Sequence, residues 1–135
     1  MFKKMSIGKH EIDFILEKRN NKNVVKGIFR TVLSPFTIRK IIEKLPINER
    51  AIIMDKNRLV FNVNINGGKE KATRTVKKGD IAYSPLGDEM IIYMEDIEET
   101  YNRVNVIGSL INIDDVEEVL KNILMSVKIT VKESK

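Results

Sequence analysis

Between Lys77 and Ile111 the chain reads KKGDIAYSPLGDEMIIYM, then an acidic link, then NRVNVIGSLI. Apolar runs of about 4 to 8 residues, each bounded by Gly, Pro, Asn or Asp, are the length of strands and too short for helices. Ile81 to Tyr83 and Met90 to Met94 flank Ser84-Pro85-Leu86-Gly87-Asp88, where Pro supplies a fixed φ and Gly a free one for a reversal. Val104 to Ile111 is a third strand. Its internal Gly108 marks a bulge or a close backbone approach. A chain built this way must hide the faces of many short strands, and that requirement governs the rest of the reading.

The flanks follow the same rule. Residues 2 to 7 and 10 to 16 read as strands about a Gly8-Lys9 turn, with Ile12, Phe14 and Leu16 alternating against Glu11, Asp13 and Ile15. Residues 18 to 23 are polar and predict a turn or loop, followed by a strand over Val24 to Leu33. Ser34-Pro35 predicts a helix start, with the Ser34 hydroxyl as cap and Pro35 at the first helical position. Ile38, Ile41, Ile42 and Leu45 then form one apolar stripe that Pro46 ends. Ala51 to Met54 and Leu59 to Ile65 predict a hairpin about Asp55-Lys56-Asn57, and Asn66-Gly67-Gly68 a tight turn. Residues 69 to 78 predict a solvated loop or edge strand. A second helix is expected from Asn112 or Asp114 to Leu124, its first turn loaded with Asp115, Glu117 and Glu118. Val127, Ile129 and Val131 predict a last strand, and 132–135 a frayed tail. The pattern of eight or nine strands and two helices admits a sandwich, an α+β sheet or a closed barrel.

Length and composition narrow the chemistry. At 135 residues the chain is the size of one domain, 1–135. The absence of Cys excludes disulfides and thiolate catalysis, and the single His10 cannot build a histidine-rich metal site. Neither a signal-peptide-like apolar run at the N-terminus nor an apolar stretch of about 18 residues occurs, so the expectation is a soluble cytoplasmic protein. Residues 1–80 carry 19 Lys plus Arg against 8 Asp plus Glu, whereas residues 81–135 carry 5 against 11. The two halves attract each other. A nucleic-acid binder more often presents an unopposed basic face, which argues against that partner despite the basic pI of 9.4.

Three strings carry a family resemblance: Ser34-Pro35-Phe36-Thr37 opening a helix that ends at Leu45-Pro46, Gly79-Asp80-Ile81-Ala82-Tyr83-Ser84-Pro85 with Gly87, and Val104-Asn105-Val106-Ile107-Gly108. Together they resemble the small archaeal and bacterial cyclophilin-like domain family, from about Lys26 to Val131, with residues 1–25 more divergent. The resemblance implies a mainly β fold, a closed antiparallel barrel of about eight strands capped by two α-helices. It further implies the setting of a prolyl isomerase, a shallow apolar groove with an essential arginine on the sheet after the first helix. The chain departs from that pattern. The Phe-His-Arg string of cyclophilins is missing, Met54-Asp55-Lys56-Asn57-Arg58 stands where a tryptophan and an acid are usual, Ser84 replaces an aromatic, and Met94 to Thr100 replaces a Gly-Pro-Thr-Pro-like segment.

Prolyl isomerisation needs an apolar groove and a donor near the prolyl nitrogen, set against a barrier of about 18–20 kcal/mol. Arg58 is the candidate donor, with Met54, Phe61, Met90, Ile92 and Tyr93 as walls. The competing reading makes the apolar residues barrel core and Arg58 a turn residue. The expectation is therefore a barrel that binds a peptide or small ligand without efficient catalysis, at a mouth near Arg58, Tyr83, Met90 and Tyr93. A prolyl isomerase using Arg58 is the alternative, and RNA binding through the basic 69–78 loop a further one. No cofactor or metal is implied.

Overall fold

The computed structural model of the chain describes residues 8–114, 117 and 126–134. The strand expected over residues 2–7 lies outside them, as does the body of the second helix, residues 115–124, apart from Glu117. Ten strands are described: β1 (Lys9–Lys18), β2 (Asn21–Arg30), β3 (Ile47–Met54), β4 (Arg58–Asn62), β5 (Thr75–Val76), β6 (Asp80–Ser84), β7 (Glu89–Tyr93), β8 (Ile97–Glu98), β9 (Asn105–Leu110) and β10 (Ser126–Glu133). Eight of them close into an antiparallel barrel in the order β1-β10-β3-β4-β7-β6-β9-β2, and β5 pairs with β8 as a separate ribbon. Closure removes free sheet edges, the liability of any chain made of short strands.

Strand alternation places Ile12, Phe14 and Leu16 of β1 inside the barrel, together with Phe29, Leu59, Phe61, Met90, Ile92 and Ile129. One helix, α1 (Pro35–Lys44), is complete among the described residues, with Pro35 in its first turn as expected. Its Ile38 and Ile41 join the same apolar cluster, so the helix contributes to the barrel's core. It stops at Lys44, and the Leu45–Pro46 peptide is cis. A second cluster lies on the opposite face of β4, β6 and β7, where Val60, Ala82, Ile91 and Tyr93 pack with Val76 of β5 and Val104. These strands are buried on both faces because the β5–β8 ribbon lies over the outer one.

Several boundaries differ from expectation. The polar stretch 18–23 is mostly strand: Lys18 pairs with Asn21 across a two-residue turn in which Arg19 takes φ 55°, and β2 ends at Arg30 rather than Leu33. Its polarity reflects exposure on both faces, since residues 21–24 are all exposed. In the β6–β7 turn the left-handed residue is Asp88, φ 54°, and not Gly87. Asp88 is among the residue types that visit this region most readily, and its side chain is held there by hydrogen bonds from Tyr83 and from the amides of Ile65 and Asn66. The residues 132 and 133, expected as frayed tail, belong to β10 and pair with Asp13 and Ile12.

Gly108 has the close approach its position implies. The register between β6 and β9 passes from Ile81–Gly108 to Ala82–Val106, leaving Ile107 as the extra residue of a bulge. A Cβ at Gly108 would stand 1.8 Å from the carbonyl oxygen of Ile28 on β2. That oxygen is backbone and cannot step aside. Gly108→Ala is therefore expected to destabilise the fold by at least about 2 kcal/mol, the upper part of the overpacking range, read as a lowered urea midpoint; an unchanged midpoint would show that the β2–β9 contact is looser than described.

Candidate functional site

Helix α1 has no acidic residue in its first turn, and the Ser34 hydroxyl does not cap it. Ser34 instead donates across to the Val106 carbonyl at 3.1 Å, which corrects the expected capping role. The free amides are met from 33 and 34 residues away: Phe36 N and Thr37 N donate to the two Glu70 carboxylate oxygens, each at 3.0 Å, and Thr37 Oγ1 donates to Glu70 Oε1 at 2.9 Å. A carboxylate on a helix N-terminus meets both unpaired N–H groups and the positive end of the helix dipole. Burial works against its charge, but these three hydrogen bonds outweigh it and hold Glu70 below the usual glutamate range.

Asn105 ties this arrangement to the barrel. It is fully buried on β9, and its amide donates to Thr37 Oγ1 at 3.0 Å and to the Gly68 carbonyl at 2.8 Å while its oxygen accepts from Glu70 N at 2.8 Å. The preceding loop is pinned from a second side. Tyr83 Oη donates to Asp88 Oδ1 at 2.6 Å and accepts from Gly67 N at 2.9 Å, and Asp88 also accepts from Ile65 N and Asn66 N. A Cβ at Gly67 would meet the Tyr83 ring at 2.9 Å, so the glycine permits this approach. Burial, then the bond to Asp88, pushes the Tyr83 phenol up to about 12. The segment expected as a tight turn is thus an irregular loop, with Asn64 and Asn66 both left-handed, because side chains and not a hairpin ladder receive its amides.

Between this loop and α1 lies an open cleft of about 220 Å³, lined by Phe36, Thr37, Lys40, Gly67, Gly68, Lys69 and Glu70. The Phe36 side chain is 71 % exposed although aromatic. Lys40 and Lys69 are exposed as well, and Lys40 Nζ reaches the Asn66 carbonyl at a long 3.4 Å.

The residues singled out in the sequence fall in two groups. Phe61, Tyr83 and Met90 point into the barrel and are buried, with Met90 opposite both others in the register. Arg58, Met54 and Tyr93 occupy the opposite face, where Arg58 pairs in register with both. The barrel wall separates the two groups. Met54 is half exposed. Arg58 Nη2 donates to Glu99 Oε1 at 2.6 Å and Nη1 to Asn57 Oδ1 at 2.7 Å, with Asp55 at 3.5 Å and the Tyr93 ring centroid 6.0 Å from Cζ. Tyr93 Oη donates to Glu99 Oε2 at 2.9 Å. Neither tyrosine has its tip in water. His10, the single histidine, is buried with Nδ1 3.8 Å from Glu133. Asp80 accepts from Lys77 N within its own turn. Among the described residues no helix is long and apolar enough to cross a membrane.

Comparison with known proteins bears directly on this geometry. The model of the family described as Cyclophilin-like matches residues 10–132. The chain belongs to the cyclophilin-like family. Its fold is similar to the solution structure of the hypothetical protein AF2241 from Archaeoglobus fulgidus, at 20% identity and a TM-score of 0.75, covering 98% of this chain and 100% of that one. It is also similar to the structure of McbB in complex with tryptophan, at 13% identity and a TM-score of 0.73, covering 90% of this chain but 44% of McbB. No curated protein matches the chain.

In this cyclophilin-like barrel the residues that shape the cleft were missed by sequence reasoning, though two left signals. Asn105 is a lone amide inside an apolar strand, and Glu70 is the one acid in the basic run 69–78. Glu70→Ala is expected to cost about 1–2 kcal/mol, the range of a lost helix cap. Because the Glu70 pKa is lowered by folding, its contribution is present above about pH 4.3 and lost as pH falls further through the folded-state value. The stability gap between wild type and variant, followed by denaturant titration, should therefore narrow below pH 4; a gap independent of pH would rule out the ionised cap. The raised Tyr83 phenol has the opposite sense: its contribution is present below about pH 10 and lost as pH rises toward 12. Tyr83→Phe should lower stability at neutral pH by about 1 kcal/mol and flatten the loss above pH 10, with an unaltered alkaline slope counting against the burial of that hydroxyl.

Proposed function

We propose that this cyclophilin-like chain is a binding module that takes a short extended peptide or a small molecule in the cleft between α1 and Gly67–Glu70, and not a prolyl isomerase working through Arg58. The observation that carries the reading is the cleft itself: an exposed aromatic side chain and two exposed lysines stand around a loop backbone left open at Gly68, on a support fixed by Asn105 and Tyr83. Preorganised concave surfaces with a few convergent polar groups are where ligands bind. McbB, which contains this fold over 44% of its length, is described in complex with tryptophan, a precedent for a small ligand in a protein of this architecture.

The isomerase alternative asks Arg58 to donate to a prolyl nitrogen. Its guanidinium already faces Glu99, Asn57 and Asp55 under the β5–β8 ribbon, and the Glu99 hydrogen bond raises its pKa further, so freeing it would leave a largely buried carboxylate unpaired. The RNA alternative draws on lysines and arginines of the 69–78 loop. Several of these serve the chain's own structure: Lys71 donates to the Val32 carbonyl, Arg74 to the Thr100 carbonyl, and Lys78 pairs with Glu117. A cytoplasmic setting belongs to the same proposal and suits a chain without Cys.

A thermal-shift screen of short peptides and small metabolites is expected to yield a stabilising ligand, by about 2.7 kcal/mol at a hundredfold excess over Kd. Phe36→Ser should abolish that shift without lowering the Tm of the free protein, because the side chain is already exposed. Wild type and Arg58→Ala should show the same background rate in a prolyl-peptide isomerisation assay. Robust turnover lost in Arg58→Ala, or stabilising ligands indifferent to Phe36, would defeat the proposal.

A further inference from the structure

The charges around the cleft are unequal. Lys40 and Lys69 face it, and Glu70 is its one carboxylate. Both Glu70 oxygens are turned onto α1, accepting from Phe36 N, Thr37 N and Thr37 Oγ1, so its charge is met within the chain. Lys40 has a long contact to the Asn66 carbonyl, and among the described residues neither lysine has a carboxylate within ion-pair distance. Beside them stands the exposed Phe36 ring. The volume of about 220 Å³ is below the roughly 300–1,000 Å³ of sites for drug-sized ligands. A single residue-sized body fills it.

Resting on the binding role proposed above and adding the ligand's chemistry, we infer that the cleft recognises a small organic carboxylate with an apolar body, its carboxylate between the Lys40 and Lys69 ammonium groups and its body on the Phe36 ring. A bare inorganic anion would leave the aromatic wall uncovered. A neutral ligand would leave two ammonium groups unanswered. A Cβ at Gly68 would meet nothing within 4 Å, which leaves room for the ligand to reach the loop backbone on that side. Because Glu70 keeps the helix amides, the ligand does not compete for them. Recognition rests on the lysines and the ring.

The test uses 3-phenylpropanoate, its neutral isostere 3-phenylpropanamide, and inorganic phosphate, each titrated into the full chain while the backbone amide signals of Phe36, Gly67 and Gly68 are followed by NMR. The acid should shift those signals saturably and bind at least about tenfold more tightly than the amide or phosphate, with an affinity that falls as salt is added. The double variant Lys40→Met, Lys69→Met keeps the apolar stems and is expected to bind the acid about tenfold more weakly with an unchanged Tm. Equal binding of acid and amide, or undiminished binding by the double variant, overturns the carboxylate assignment while leaving the cleft a ligand site. Phosphate binding as tight as the acid overturns the apolar-body requirement and with it the inference. Shifts confined to other residues, or no binding of the acid, overturn the inference too. In those cases the Phe36-dependent screen decides separately whether the binding role survives, since that screen includes neutral peptides.

Discussion

The barrel depends on a seam at which glycine is required on both sides. Three register pairs join β2 to β9, Gly27–Leu110, Ile28–Ser109 and Phe29–Gly108, and both glycines sit where a side chain has no room. A Cβ at Gly27 would meet Ile81 Cδ1 and Phe14 Cε2, each at 2.9 Å, on the packed interior. At Gly108 the obstacle is the neighbouring backbone itself. Closing a sheet forces strands to tilt and bend, and a bulge such as that at Ile107 supplies the bend without opening the ladder. Without this seam β2 and β9 would be free edges, and the helix that follows β2 would lose its place against Asn105 and Val106 of β9.

From the seam the dependence passes to polar groups. Asn105 opens β9 and is fully buried, so all its hydrogen-bonding capacity must be met. It is met by Thr37 on the helix and by Gly68 and Glu70 on the loop. Glu70 then closes the circuit by capping the helix that Thr37 belongs to. Each member holds another in position, which is how the irregular loop between β4 and β5 stays fixed without a strand ladder. Tyr83 repeats the device from inside the barrel, its ring in the core and its hydroxyl reaching Gly67 and Asp88. The cleft is therefore a surface whose rear wall is the core.

Much of this was legible in local sequence. The Ile38–Ile41 stripe, Pro35 in the first helical turn and the glycine in β9 are read from neighbours within a few residues, and each took the expected place. The barrel's closure follows from the family resemblance rather than from periodicity, which admitted other all-β arrangements. The candidate groove failed to assemble for a reason of parity. Met90 and Tyr93 are three residues apart on one strand, as are Arg58 and Phe61, and an odd separation puts side chains on opposite faces. Because β4 and β7 are buried on both faces, apolar character continued without alternation and concealed the face to which each residue belonged. Glu70 was not legible at all as a cap. Its partners lie 33 and 34 positions upstream, beyond any local capping pattern.

The charge division of the sequence explains where the cleft stays cationic. The basic first part and the acidic second part interleave across the structure, so that Arg58 meets Glu99 and Lys78 meets Glu117. Lys44, at the far end of α1, contributes to the field that lowers Asp88. The outer face of α1 is different. Arg39 has its own Glu43 one turn along the helix, but among the described residues Lys40 has no acid of the second half within ion-pair distance, and Lys69 projects from the loop beside it. Glu70, the one carboxylate among the described residues that line the cleft, belongs to the basic part of the chain and is turned onto the helix amides. Neutralising the helix end thus leaves the lysines on its flank uncompensated, and the same contact that builds the cleft sets its sign.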